Sequence, residues 1–340
     1  MSPPVRSILV VRRDNIGDLV CTTPLITALR QHFPQAWIAA LVNDYTRPVL
    51  DGNPDLDAVF SYQKAKHRSP GQSALGIYWQ RLRMLWQLRK RRIDCIILAS
   101  PGYQPSAERL ARFINARQVV GFDNGSGLAT LTVPAATRTS RHQVENVFRV
   151  LGALGIDGPP PPLRLVPDAA RVSAFKVMLP KGAGPVVGVH ISAREADRRW
   201  PDAKFTELIT RLTGECAAKV ALTWAPGVRD RREFPGDDES AQHLCASAAS
   251  GGLVAMPTES LAGLIASLAV CDYVICSDGG PVHLAAALGK PVVCFFGSER
   301  PELWHPWKVP YRLLQPASRN VADIAVDEAV AAFLELSKSG

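Results

Sequence analysis

Three short stretches hold residues whose types and spacing suit chemistry on a phosphorylated substrate. In SDGGPVH, at 277–283, Asp278, Gly279 and Gly280 leave the backbone bare just as a helix begins. Pro281 fits the first helical position, which needs no N–H. The free N–H groups and positive dipole end of such a helix let an anion approach the main chain. In HISAREADRRWP, at 190–201, Ser192, Arg194, Arg198 and Arg199 cluster behind a strand, and the planar guanidinium fork matches phosphate oxygens. In RRDNIGD, at 12–18, Gly17 and Asp18 occupy the turn after the first strand. A carboxylate there serves either as a general base or as a helix cap. Each stretch also has an ordinary reading: a plain strand-to-helix turn, a surface salt-bridge cluster, a cap.

These residues need elements to position them, and the chain supplies an alternation of apolar strand-like runs with helical ones. The runs are SILVV, a helix over 23–32, WIAALV, a helical turn over 45–50, AVFSY, a basic helix, DCIILAS, SAERLARFIN, QVVGF and the closing helix HQVENVFRVLGALG. Such alternation predicts a parallel α/β sheet. Four consecutive prolines in DGPPPPLRLVPD then favour an extended spacer. Past them the pattern restarts with PVVGVH, DAKFTELITRLTGE, KVALTW, GGLVAM, SLAGLIASLAV, YVICS and PVVCFF. The expected layout is one Rossmann-like domain over 1–157, a linker over 158–168 and a second such domain over 169–325. A terminal helix over 326–340 is expected to pack back on the first domain. Ligands of such folds bind at the carboxyl ends of the strands, so a cleft between the two domains is the expected site.

Composition narrows the function classes. The 340 residues exceed what one core usually serves. The N-terminal apolar run is too short for a signal peptide and no stretch is long enough to span a bilayer, which points to the cytoplasm. The seven cysteines, odd in number and without a Cys-x-x-Cys pair, read as reduced core residues. Nine cations, Lys64, Lys66, Arg68, Arg81, Arg83, Arg89, Lys90, Arg91 and Arg92, fall in one stretch with no Asp or Glu. Within it Tyr78, Leu82, Leu85 and Trp86 follow helical spacing, so this stripe is expected to pack on the core and leave a basic face for an anionic partner. Nucleic acid is a poor fit, because no recognised binding module is present. A nicotinamide dehydrogenase would need Gly-x-Gly-x-x-Gly after the first strand, where RRDNIGD stands. Asp55 and Asp57 form an Asp-x-Asp pair of metal-ligand type, but NPDLDAVF reads as a turn entering a strand.

Taken together, RRDNIGDLVCTTPLITALR, the run at 190–201, SDGGPVHLAAALGKPVVCFFG and the closing helix HQVENVFRVLGALG resemble, in the right order and over nearly the whole chain, the lipopolysaccharide heptosyltransferases of glycosyltransferase family nine. The resemblance implies a GT-B fold, an ADP-heptose donor held mainly by the second domain and an anionic glycolipid acceptor held mainly by the first. The favoured mechanism is a direct, inverting transfer; without a convincing metal cluster in the sequence it is expected to be metal-independent, no cofactor is called for, and the basic helix suits peripheral contact with the inner face of the cytoplasmic membrane. By resemblance Asp18 matches the family's catalytic base, and Arg198 falls where many members carry a lysine facing the donor phosphates. Asp278, Gly279, Gly280 and His283 fall on the motif that holds donor sugar and pyrophosphate, while Ser192 stands near the family's threonine pair. Gly279 departs from the pattern by lacking a threonine hydroxyl, and Ala193 lacks a second one. The acidic residue near the ribose is left open between Asp230 and Glu233. The alternatives are a member using another nucleotide sugar or acceptor, and a non-catalytic sugar-nucleotide-binding protein.

Overall fold

A computed structural model describes residues 5–63, 73–134, 141–229, 235–247 and 252–338. The chain divides into two units, 1–166 and 167–340. In the first, the order is β1 (Ser7–Val11), α1 (Ile16–Val20), α2 (Thr23–His32), β2 (Trp37–Asn43), β3 (Ala58–Tyr62), α3 (Ala74–Lys90), β4 (Cys95–Leu98), α4 (Pro105–Ile114), β5 (Gln118–Asp123), β6 (Leu131–Pro134) and α5 (Gln143–Phe148). The sheet is parallel, in the order β3-β2-β1-β4-β5-β6. β1 is central, Val10 facing Ala40 on one side and Ile97 on the other. Covered on both faces, the inner strands are apolar without alternation, as parallel sheets require.

The second unit repeats the plan with α6 (Ala169–Met178), β7 (Val186–His190), α7 (Asp202–Gly214), β8 (Lys219–Trp224), α8 (Asp238–Ser247), β9 (Leu253–Pro257), α9 (Leu261–Ala269), β10 (Tyr273–Ser277), α10 (Gly280–Ala287), β11 (Val292–Phe295), α11 (Pro301–Trp304), β12 (Tyr311–Leu314) and α12 (Val326–Lys338). Its parallel order, β9-β8-β7-β10-β11-β12, is the same winding, running outward from a first central strand in both directions. In each unit the winding reverses between two neighbouring strands, β1 and β4 or β7 and β10. There the chain leaves the sheet toward opposite faces and opens a crevice at the strands' carboxyl ends.

Three expectations change. The terminal helix belongs to the second unit: Val326, Ala329, Val330, Phe333 and Leu336 are buried in the core formed with Phe205, Leu208, Leu212 and Phe295. The sequence reading places it on the first domain; its apolar stripe is instead covered by the core of its own unit. The proline-rich segment is not a free spacer throughout. Leu163 and Leu165 are buried, Arg164 N–H donates to Thr23 Oγ1 at 3.0 Å, and its guanidinium grips Asp55 at 2.8 and 2.9 Å. Finally, α3 turns a different face inward. Ile77, Met84, Leu85 and Leu88 are buried, the last three in the core with Leu110 and Ile114 of α4, whereas Tyr78, Leu82 and Trp86 are exposed. The helix carries two apolar arcs, and periodicity alone does not choose between them. Lys64, Lys66 and Arg68 lie outside the described residues.

Candidate functional site

The first crevice is built around a buried arginine. β1 must remain apolar to sit between β2 and β4, so the first polar residue after it, Arg12, emerges at the switch point with 2 % of its surface exposed. A buried guanidinium costs several kcal/mol unless it is paired, and here it is surrounded. Its Nη2 donates to Asp18 Oδ1 at 2.6 Å, its Nε lies 2.9 Å from Asp14 Oδ2, and its Nη1 donates to the carbonyl of Ala99 beyond β4. The other Asp18 oxygen accepts the Asn15 N–H at 3.2 Å. Asp18 is therefore both a cap of α1 and an ion-pair partner, with one lone-pair site engaged on each oxygen and the others left for a ligand. Asp14 is fixed in turn by Ser100 Oγ at 3.3 Å and by the Gln104 amide. Asn43 Nδ2 holds the Arg13 carbonyl at 2.6 Å, and Tyr45 hydroxyl holds that of Asp14 at 2.9 Å. Arg12, Asp14, Asn15, Asp18, Ser100, Gly102 and Gln143 line a cavity of about 420 Å³. A rigid carboxylate facing a cavity of sugar size can accept a proton from a hydroxyl seated there.

The second crevice brings Arg198 to Asp278. Trp200, locked by its indole N–H on the Ile324 carbonyl at 3.0 Å, fixes the loop after β7. A short 3-10 turn over 196–198 then aims Arg198 across the end of β10. Its Nη1 meets Asp278 Oδ2 at 3.0 Å and its Nη2 meets Glu299 Oε1 at 2.9 Å. Arg198 Nε is buried without a hydrogen-bond partner among the described residues. Asp197 anchors the opposite wall by accepting from the N–H and hydroxyl of Ser298, at 3.0 and 2.5 Å.

Gly279 has φ 148° and ψ −162°, a backbone region essentially reserved for glycine. A β-branched threonine at that position would be strained unless the turn relaxed, so glycine here is a conformational requirement as well as a missing hydroxyl. Gly280 opens α10 with Pro281 behind it. Burial pushes the Asp278 carboxyl up to about 6, against the Arg198 guanidinium, which lowers it. Burial pushes His283 down to about 4, so it is neutral at pH 7.

The sequence-derived residues fare unequally. Arg198, Asp278, Gly279 and Gly280 come together at one turn. His283 lies beneath it, buried edge-on to Trp304 with ring centroids 5.5 Å apart, supporting α10 from inside. Ser192 Oγ accepts the Ala225 N–H at 2.9 Å, tying the β7 loop to the end of β8. Arg194 is exposed and Arg199 donates to the Ala193 carbonyl at 3.0 Å. Asp230 and Glu233 lie outside the described residues. Arg12, Asp14 and Glu299 were not singled out from sequence, although Arg12 and Asp14 stand inside RRDNIGD. Asp55 is held by Thr27 Oγ1 at 2.6 Å and by Arg164, and Asp57 by Arg30 at 2.7 Å and the Ile38 N–H at 2.7 Å. Both carboxylates of the Asp-x-Asp pair are thus bound to fixed partners. Among the described residues no group of three His, Cys, Asp or Glu is arranged to hold a metal ion, and no helix is long and apolar enough to cross a membrane.

The family model for glycosyltransferase family 9 (heptosyltransferase) matches residues 81–324. Lipopolysaccharide heptosyltransferase 3 of Escherichia coli is 26% identical over 303 residues, covering 86% of this chain and 83% of that protein. The structure of a family 9 glycosyl transferase from Veillonella parvula superposes with a TM-score of 0.82 at 18% identity, over 100% of this chain and 99% of that one. The E. coli heptosyltransferase WaaC, solved with ADP, gives a TM-score of 0.77 at 22% identity, over 97% and 99% of the two chains. Two Rossmann-like parallel sheets of the GT-B type, with polar clusters at both switch points, belong to a chain that is a member of glycosyltransferase family 9, the heptosyltransferase family.

Proposed function

We propose that this glycosyltransferase moves a heptose from ADP-heptose to an anionic inner-core lipopolysaccharide acceptor by direct, inverting displacement. The observation that carries the donor half is the Arg198–Asp278 pair at 3.0 Å beside the glycine turn that opens α10. A pyrophosphate at that turn takes the Arg198 guanidinium from its carboxylates, uses the idle Nε donor and meets the N–H groups of α10. Asp278, released from Arg198, accepts sugar hydroxyls. The solved E. coli relatives bound to ADP and to ADP-2-deoxy-2-fluoro heptose support an adenine nucleotide.

In the acceptor half, Asp18 takes the proton from an acceptor hydroxyl as that oxygen forms its bond to the anomeric carbon. The bond from that carbon to the diphosphate oxygen breaks on the opposite face, and ADP leaves with the bonding pair. Its developing charge is met by Arg198 and by the helix N-terminus, which act as the electrostatic stabiliser without a metal ion. Attack opposite the leaving group inverts the anomeric centre. Ser192 and Arg194 sit on the loop beside the phosphates, and His283 supports the helix that receives them.

A second reading keeps the reaction and changes the donor: Gly279 removes a hydroxyl that the family uses at the phosphates. Thermal stabilisation separates the two. A ligand at ~100 times its Kd adds about 2.7 kcal/mol of stability, so ADP raises Tm more than UDP or GDP at equal concentration. A larger shift with UDP or GDP rejects the adenine assignment.

A further inference from the structure

The inward face of α3 leaves its other apolar arc largely exposed, with Trp86 edge-on to Phe113 at 6.3 Å between ring centroids. Leu75, Tyr78, Trp79, Leu82 and Trp86 are all exposed, Leu75 by 80% and Trp79 by 69%. At 3.6 residues per turn these five positions fall within about 100° of arc, roughly opposite Ile77, Met84 and Leu88. They form one ridge along about three turns of helix. α3 contains no Asp or Glu. Arg83 and Lys90 border the ridge with no ion-pair partner among the described residues. By contrast Arg81 lies over the Tyr62 ring and Arg91 over the Trp37 ring, at 4.9 and 3.6 Å.

From this ridge we infer that α3 is a membrane-docking helix, lying in the plane of an anionic bilayer surface with its outer arc inserted among the headgroups. Tryptophan and tyrosine bring an apolar body with a polar tip, which suits the boundary between headgroups and acyl chains. Leucines reach deeper, and the flanking cations meet anionic headgroups. Nucleic acid would have no use for Leu75 and Leu82. An acidic protein partner would satisfy the cations, but the aromatic and leucine ridge calls for an apolar medium as well. The inference stands on the surface of α3 by itself and needs neither the donor nor the acceptor assignment. If both hold, docking brings the enzyme to the membrane in which a glycolipid acceptor is anchored.

The test is co-sedimentation of the full-length protein with vesicles of phosphatidylcholine alone or with 30 to 40% phosphatidylglycerol, that is, about one-third anionic lipid. Three proteins are compared: wild type, the ridge variant Leu75→Gln/Trp79→Gln/Leu82→Gln, and the charge variant Arg83→Gln/Lys90→Gln. Both sets of substitutions are at solvent-facing positions, so an unchanged Tm and an unchanged thermal shift with ADP certify the fold and the donor site independently of docking. Expected results are binding to anionic vesicles, at least tenfold weaker partitioning for the ridge variant, and a weaker, less salt-sensitive partitioning for the charge variant. Wild-type protein that ignores anionic vesicles overturns the inference, as does a ridge variant that binds like wild type. So does a sedimenting dimer that the ridge substitutions convert to monomer, since the ridge would then be covered by a second copy. Failure of ADP to shift Tm, with vesicle binding intact, counts against the donor assignment and leaves the docking helix standing.

Discussion

Asp278 offers a prediction whose size follows from its surroundings. Its side chain is 5% exposed and the loss of hydration on burial is the largest influence on it, raising its pKa from 3.8 to about 6 despite the Arg198 ion pair. A folded-state pKa above the unfolded value means that the folded protein binds the proton more tightly. The stability linked to this group is therefore complete below about pH 4 and is lost as pH rises through 6. A rise of about two in pKa, at ~1.4 kcal/mol for each tenfold change in proton affinity, amounts to about 3 kcal/mol. Asp278→Asn keeps the shape and cannot titrate. The unfolding free energy of the variant minus that of wild type should thus grow by about 3 kcal/mol between pH 4 and pH 7. The buried His190 and His283, both pushed down to about 4 by burial, act in the opposite sense, losing stability as pH falls from 6.5 toward 4. They are present in both proteins and cancel in the difference. Urea denaturation at half-unit pH steps, followed through the transition of the second unit, reads this difference directly. Parallel profiles for the two proteins would refute the reasoning, because they would mean that Asp278 is ionised at no cost and is not held in a desolvated site.

The remaining expectations concern the two crevices. Asp18→Asn preserves the acceptance of the Asn15 N–H and removes the base, so turnover should drop by roughly 10²- to 10⁴-fold with little change in ADP affinity; near-normal turnover would reduce Asp18 to a cap. Arg12→Ala leaves Asp14 and Asp18 without their buried counter-ion and should cost about 3 to 5 kcal/mol in urea denaturation; an unchanged midpoint would show the pair to be solvated. ADP binding by calorimetry should weaken as pH rises through 6, by at most tenfold per unit, because pyrophosphate takes Arg198 from Asp278 and the bound state then favours a protonated carboxyl; a flat profile would mean that Arg198 keeps its carboxylates. Activity should survive EDTA, and Asp55→Ala should lower stability by about 2 kcal/mol through the loss of Arg164 and Thr27 partners, without creating or abolishing a metal requirement; loss in EDTA restored by Mg²⁺ would contradict this.

Much of the fold was legible because burial on two faces leaves a strong mark. SILVV, WIAALV, CIIL, VVGVH and YVICS can hardly be anything but central parallel strands, and the four prolines announce a break in the helical and strand pattern. The elements that leave little mark in the sequence are α1, which is short, α6, which buries no residue, α8, which is polar, and the four-residue edge strands β6 and β12, the first mostly exposed and the second only half-buried. On α3, two apolar arcs at the same period compete, and only the position of α4 and its Leu110 and Ile114 decides which is covered. The glycine turn at 279–280 was readable because its residue types reveal a backbone conformation. Arg12, Asp14 and Glu299 were not, since arginine and carboxylates are expected on surfaces and nothing local says that three strands will close around one of them. Ser192 and His283 were visible as polar residues in motifs, but whether such a group faces a ligand or a neighbouring main chain is a long-range matter. For Ser192 the answer lies at Ala225, thirty-three positions away.

Transfer itself provides the most direct test. The purified chain would be mixed, in the presence of EDTA, with a heptose-deficient lipopolysaccharide acceptor and in turn with ADP-heptose, UDP-sugars and GDP-sugars, and the released nucleoside diphosphate measured. The expected result is ADP released from ADP-heptose only when acceptor is present, with the acceptor gaining one heptose of inverted anomeric configuration. Consumption of a UDP- or GDP-sugar in preference, or no nucleotide release from any donor by a folded chain that binds ADP, would contradict the assignment of this site to heptose transfer.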